Sequence, residues 1–177
     1  MSHGVEPDFT PIVEHLNATR AALVAAAEKI PEGRWKESPR PGSWSAGEVM
    51  AHLAMVEERV VEGATKVVGA APIPVPLWKR AHLPVWLGEW RGFRVKSPIP
   101  LDPALVVEKQ PMLARMGQVR EETMGFIEAN RGRDLGVYRF PHPFFGSLNV
   151  YDWMRMIAYH DARHTQQIRE IIEIFHS

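Results

Sequence analysis

The sequence has no cysteine, no excess of either charge and no long apolar run. The lack of cysteine excludes disulfides, thiolate zinc sites and cysteine nucleophiles, so any metal would be held by histidine or carboxylate side chains. The 21 Lys and Arg residues equal the 21 Asp and Glu residues, and the sequence therefore lacks the basic excess typical of nucleic-acid-binding proteins. No apolar run approaches the roughly 18 residues of a membrane span, and residues 1–7 lack the features of a signal peptide. We expect a cytoplasmic protein with neither a nucleic-acid nor a membrane partner.

The length and the apolar content predict a single domain that covers residues 1–177. A chain of 177 residues with 45% apolar residues is long enough to bury a core without a disulfide or a structural metal. The eight histidines then become the residues to follow for function, because they are the metal ligands that a cysteine-free chain has available.

Apolar residues recur every three or four positions in four segments, which is the period of an amphipathic helix. The first segment starts at Thr10-Pro11 and ends near Ile30, and the second starts at a Ser45-x-x-Glu48 capping box and continues toward Val67. The third starts at Asp102-Pro103, is interrupted by Pro111 and ends near Asn130, whereas the fourth is capped by Asn149 and runs to about Phe175. Without strand alternation, this pattern predicts an all-α four-helix bundle.

The segment between helices two and three is rich in proline and tryptophan. Residues 70–101 contain six prolines and three tryptophans, which excludes one long regular helix, but aromatic side chains of this size favour burial over disorder. We expect a long crossover with a short helix around residues 77–89, which would act as a lid over one end of the bundle or as a contact in a homodimer. Residues 133–147, between helices three and four, are expected to form a loop.

Three histidines stand at positions suited to one metal ion. His160 and His164 interrupt the apolar stripe of helix four, and a separation of four residues puts both imidazoles on one face, about 6 Å apart along the axis. His52 lies beside the apolar stripe of helix two, from which it can face helix four. The alternative is that each histidine is bonded to a carbonyl or a carboxylate at the edge of the core. A metal is favoured because two adjacent imidazoles are costly to bury without strong partners.

Several other polar residues receive weaker predictions. Gln167, one turn beyond His164, could orient a ligand or form a hydrogen bond within the bundle. Glu48 is assigned to the capping box, while Asp161 and Arg163 are expected to point away from the histidine pair and to be solvated or paired with neighbouring residues. His142, in the loop before helix four, is expected to be exposed, although it could reach a pocket. The remaining histidines are expected at the surface: His3, His15, His82 and His176.

Three segments of the sequence resemble the DinB-like superfamily. They are residues 44–53 (WSAGEVMAHL), residues 142–146 (HPFFG) and residues 159–168 (YHDARHTQQI). The resemblance implies a four-helix bundle of DinB-like type and one divalent ion held by His52, His160 and His164. It also implies a possible activity class, because related proteins are metal-dependent enzymes that use low-molecular-weight thiols such as mycothiol or bacillithiol, while others are described as metal-dependent hydrolases.

The chemistry of three imidazole ligands leaves several functions open. Such a site has free coordination positions, at which a thiol or a water would lose its proton more easily. A thiol S-transferase acting on a small electrophile, a metal-dependent hydrolase and a non-catalytic binding or stress-response module all fit. A zincin-type protease is disfavoured because Asp161 follows the first histidine where that enzyme class has glutamate. Zinc, nickel, iron and manganese all accept imidazole, and no further catalytic or thiol-binding residue stands out.

Overall fold

The computed structural model describes residues 8–72, 76, 82–89 and 100–177. In these residues the chain is mostly helical, which confirms the predicted four-helix bundle. The helices are α1 (Thr10–Ala27), α2 (Ala46–Val68), α3 (Lys109–Ala129) and α4 (Val150–His176); the strands are β1 (Arg139–His142) and β2 (Gly146–Asn149); and single 3-10 turns cover Glu32–Arg34, Val85–Gly88 and Pro103–Leu105. None of the helices in the described ranges combines the length and the apolar character of a membrane span.

The predicted helix starts are confirmed for α2 and α4. The Ser45 hydroxyl accepts the Glu48 N–H while the Glu48 carboxylate accepts the Ser45 N–H at 2.7 Å, which is a complete capping box. The Asn149 side chain accepts the Asp152 N–H at 2.9 Å. The prediction for α3 was wrong at its start, because Pro103 belongs to a separate 3-10 turn and α3 begins at Lys109.

Pro111 lies in the first turn of α3, where its missing N–H costs no intrahelical hydrogen bond. It therefore does not kink the helix.

The loop predicted for residues 133–147 was wrong in part, because strand β1, the turn after it and the first two residues of β2 lie in this range. Strand β1 pairs antiparallel with β2, with Phe140 opposite Leu148. Gly146 has a φ of 84°, a left-handed conformation that favours glycine. The Phe140 ring stacks on the Trp153 ring of α4 at 4.5 Å. The hairpin is thus fixed to the bundle by an aromatic contact that local sequence does not predict.

Helices α1 and α4 run in one direction, and α2 and α3 run in the other. The Phe9 and Tyr151 rings meet at the start of α1 and α4, whereas Arg34, after α1, donates to the Phe175 carbonyl at the end of α4. Because α2 and α3 run in the same direction, the connection between them has to return along the length of the bundle. That length is about 35 Å for a helix as long as α2. The parallel direction of α2 and α3 therefore explains why the crossover of residues 69–108 is long.

The crossover itself is described only in part. Residues 73–75, 77–81 and 90–99 lie outside the described residues, and so does much of the short helix expected around residues 77–89. Within residues 82–89, the 3-10 turn Val85–Gly88 packs against α4. A Cβ added to Gly88 would come within 2.9 Å of the Met156 sulfur, which shows how closely this turn approaches α4.

Candidate metal centre

His52 reaches the interior because α2 begins at a firmly capped residue. The capping box starts the helix at Ala46, and His52 then lies almost two turns into α2 with its side chain 5% exposed. The Trp44 ring, just before the helix, lies 5.0 Å from the His52 ring. The same segment that starts the helix therefore also walls one side of this histidine.

His160 and His164 lie on successive turns of α4 and face the same side. Their ring centroids are 4.6 Å apart, as expected for residues four apart on a helix. Helix α4 runs antiparallel to α2, and this brings His52 within 5.1 Å of His160 and 5.3 Å of His164, measured between ring centroids. The structure thus brings together the three histidines that the sequence singled out.

The three imidazoles converge on one point through their Nε2 atoms. The Nε2 atom of His160 lies 3.4 Å from Nε2 of His52 and 3.1 Å from Nε2 of His164. A tetrahedral zinc ion with Zn–N bonds of 2.0–2.1 Å requires N···N separations of about 3.3–3.4 Å. All three candidate ligand atoms lie within 4.8 Å of one another. The cluster has the chemistry and the spacing of a divalent-metal site with three protein ligands.

Gln167 fixes the tautomer of His164. The Nδ1 atom of His164 lies 2.8 Å from the Oε1 atom of Gln167, and this oxygen can only accept a hydrogen bond. Nδ1 therefore carries the proton, and Nε2 turns a lone pair toward the other two histidines. Of the two roles considered for Gln167, the geometry supports the orientation of a ligand residue.

The Nδ1 atom of His52, unlike that of His164, has no hydrogen-bond partner among the residues that the structure describes, and it is buried. Burial lowers the pKa of His52 to about 4. The pKa of His160 is also well below its ordinary value, through burial and then through His164 and His52. Both imidazoles are therefore neutral at pH 7, which is the form that binds a metal.

The carboxylates nearest to the histidines in sequence are all engaged elsewhere. Glu48 caps α2. Glu57 and Asp161 are each 1% exposed and bind two arginines, Arg20 and Arg120. Of the two outcomes expected for Asp161, solvation or pairing, the structure shows pairing: its side chain points away from the histidines and into the bundle.

We call these buried side chains the ion network. Its charged members are Arg20 of α1, Glu57 of α2, Arg120 of α3 and Asp161 of α4, and Thr123 of α3 joins them through its hydroxyl group. Arg20 donates to Asp161 at 3.0 Å and Arg120 donates to Glu57 at 2.8 Å, so two positive charges balance two negative charges. The sequence carried one signal of this network, because Arg20 interrupts the apolar stripe between Leu16 and Leu23.

His142 lies in strand β1 and is half-buried, so the prediction of an exposed loop residue was wrong. His82 was expected at the surface, but it is partly buried and its Nε2 atom lies 3.2 Å from the Asp152 carboxylate. His15 is also partly buried, with its ring against Tyr159. His176 is exposed, as predicted, and His3 lies outside the described residues.

The fold and the cluster define a helical-bundle protein with a candidate three-histidine metal site. A family model of the DinB superfamily matches residues 15–168, and the chain belongs to this superfamily.

Two individual proteins are similar to this chain. The chain is 27% identical over 145 residues to the uncharacterized protein YuaE of Bacillus subtilis (strain 168), an alignment that covers 81% of this chain and 86% of YuaE. It also resembles the crystal structure of TT2238, a four-helix bundle protein, with a TM-score of 0.62 and 21% identity over 92% of this chain and 99% of the other. At that identity the second likeness shows the fold alone.

Proposed function

We propose that this DinB-superfamily protein is a metal-dependent enzyme that transfers a low-molecular-weight thiol to a small electrophile. The observation that carries the proposal is the convergence of the Nε2 atoms of His52, His160 and His164, with separations of 3.1 and 3.4 Å from His160 to the other two. Three ligands are one fewer than a closed structural zinc site uses, which favours a site with an open position.

The residues around the cluster support a thiol more than a water as the nucleophile. A hydrolase of this kind commonly needs a general base, and the carboxylates nearest to the histidines in sequence, Glu48, Glu57 and Asp161, are held in the cap and in the ion network. A thiol with an ordinary pKa near 8.5 needs far less assistance than water to lose its proton. A divalent ion bound by the three imidazoles would lower that pKa further and so supply a thiolate near neutral pH.

The chain's own residues keep the cluster ready for this role. Burial keeps His52 and His160 neutral, and Gln167 directs the lone pair of His164 inward. In the proposed reaction the thiol gives its proton to solvent and the thiolate sulfur forms a bond to the electrophilic carbon, whose bond to the leaving group breaks with its electron pair. In an epoxide the bond that breaks is the one to the ring oxygen, which stays attached and takes up a proton from solvent. The small electrophile is the substrate, and the thiol is the cosubstrate.

The metal content tests the site. We expect about one zinc, nickel, iron or manganese ion per chain in untagged protein, and loss of that ion in the variants His52→Ala, His160→Ala and His164→Ala, as measured by elemental analysis. His176→Ala is the matched control, because this exposed histidine lies at the end of the same helix α4. A parent protein that binds no ion after reloading with these metals would refute the proposal.

The reaction is tested on the loaded parent protein. Bacillithiol, mycothiol and cysteine are each incubated with a panel of chloroaromatic and epoxide electrophiles, and the thioether product is followed by mass spectrometry. We expect thioether formation that requires both the ion and His160. Hydrolysis of the panel without any thiol would instead assign the protein to the hydrolases, and saturable binding without turnover would assign it to binding modules.

A further inference from the structure

His142 occupies a built position between the hairpin and helix α4. It ends strand β1, and its ring packs against the Phe145 ring at 4.9 Å and against the Trp153 ring at 4.9 Å. The ring is half-buried instead of extending into solvent. Neither the predicted function nor the three-histidine cluster makes use of this residue.

The turn of the hairpin fixes the tautomer of His142. Its Nδ1 atom accepts the backbone N–H groups of Phe144 at 3.1 Å and of Phe145 at 3.2 Å. An atom that accepts two hydrogen bonds carries no proton, so the neutral ring has its proton on Nε2. This Nε2–H group has no acceptor among the residues that the structure describes. It is a donor with a fixed direction and an unused proton.

The ring lies beside the face of α4 that leads to the metal centre. Trp153, Met156 and His160 are spaced three and then four residues apart, so they share one face of the helix. His142 packs on the first of them, and Gly88 closely approaches the second and lies near the Phe145 ring. Burial and then His164 and His52 lower the pKa of His160 most, and a positive charge on His142 would lower it further. The hairpin turn and the turn Val85–Gly88 thus form a wall next to the histidine cluster.

We propose that the Nε2–H of His142 donates a hydrogen bond to a carbonyl or carboxylate oxygen of the small molecule bound at the histidine cluster. This inference rests on the proposed function and narrows its thiol cosubstrate to molecules that carry such an oxygen near the sulfur. His142 is then a binding residue that orients one end of the molecule, while the cluster holds the other end.

Two small thiols that differ in a carboxylate group test the donor. Mercaptoacetate has a thiol and a carboxylate, whereas ethanethiol has the thiol alone. Each is titrated into protein loaded with Co²⁺, and the sulfur-to-cobalt charge-transfer band in the near ultraviolet gives the dissociation constant without any turnover. We expect the parent protein to bind mercaptoacetate more tightly than ethanethiol.

A matched pair of variants separates the two nitrogen atoms of the ring. In His142→Asn the amide oxygen can replace Nδ1 as acceptor of the two backbone N–H groups, but the distal donor is lost. In His142→Gln the longer side chain restores a donor near the position of Nε2. We expect the Asn variant to bind mercaptoacetate about tenfold more weakly or worse, with ethanethiol affinity unchanged, and the Gln variant to recover most of the loss.

The outcomes distinguish the two proposals. If the Asn variant loses affinity equally for both thiols, or if the Gln variant loses mercaptoacetate affinity as the Asn variant does, His142 is not a donor to the ligand, although the thiol site stands. If the parent shows no charge-transfer band with ethanethiol, the thiol site itself is refuted and this inference fails with it. Bound cobalt per chain shows that each variant compared is folded.

Discussion

Replacing Glu57 by glutamine should destabilise the bundle severely while changing almost no volume. The carboxylate of Glu57 accepts hydrogen bonds from Arg20, from Arg120 at 2.8 and 3.3 Å and from Thr123 at 2.6 Å. A glutamine amide has one oxygen and one NH₂ group, so at least one guanidinium N–H would face another donor. The substitution also leaves two positive charges against one negative charge at side chains at most 8% exposed.

The size of the effect follows from this burial. Breaking a buried ion pair by removing one partner costs about 3–5 kcal/mol, because the remaining charge stays desolvated. For a chain of this length, each kcal/mol lowers the melting temperature by about 2–4 °C, and we expect a drop of about 6–20 °C. Such a loss is a large share of the roughly 5–15 kcal/mol that stabilises a typical domain.

The adjacent residue provides the control. Glu58 on α2 forms a bidentate pair with Arg115 at 2.9 Å, but its side chain is 35% exposed. Glu58→Gln should therefore cost no more than about 1 kcal/mol. Urea and thermal unfolding, followed by circular dichroism, compare the two variants with the parent. If Glu57→Gln is within 1 kcal/mol of Glu58→Gln, the four-helix ion network does not have the stabilising role assigned to it here.

Three further predictions follow from named contacts. Gln167→Leu should weaken zinc binding about 10- to 100-fold in a competition with a chromophoric chelator, because His164 loses the acceptor of its Nδ1–H, whereas the exposed Gln166→Leu should not; equal affinities would contradict this. Ser45→Ala should cost about 0.5–2 kcal/mol in urea unfolding, since the capping box is lost; an unchanged midpoint would refute it. Metal-free protein should lose about 1–2 kcal/mol between pH 7 and pH 5 through His52, whose pKa is about 4 when folded and 6.5 when unfolded, because the unfolded state binds more protons; His52→Phe should remove this share of the dependence.

The helices and the histidine cluster could be predicted because their signals are local. The residues of the capping box lie three positions apart, the pair on α4 lies four apart, and both separations have fixed meanings on a helix. Only the choice of His52 required an assumption about packing, namely that this residue of α2 faces α4. The contact between the His52 and His160 rings agrees with that assumption. Apart from His52, these features depend on helix geometry alone.

The hairpin and the ion network depend on contacts between distant residues. Strands β1 and β2 have only four residues each, and Pro141 within β1 disfavours a strand. Predicting the hairpin would therefore have required knowledge of the stacking of Phe140 on Trp153. Likewise, the charge of Arg20 on an apolar stripe indicates that a buried partner is needed. It does not indicate that the partner is Asp161, 141 residues away.

The ion network and the histidine cluster use two sides of the same helix, and this links stability to function. The side chains of consecutive residues on α4 point in directions about 100° apart around the helix axis. His160 therefore faces α2, while Asp161 faces Arg20 of α1 and Arg120 of α3. A rotation of α4 about its axis would break these charged hydrogen bonds before it separated the imidazoles by much. The costly buried charges therefore fix the rotation of α4 and, with it, the direction in which both of its histidines point. The imidazoles alone do not fix the rotation of α4, and the geometry of the cluster therefore depends on such neighbouring contacts.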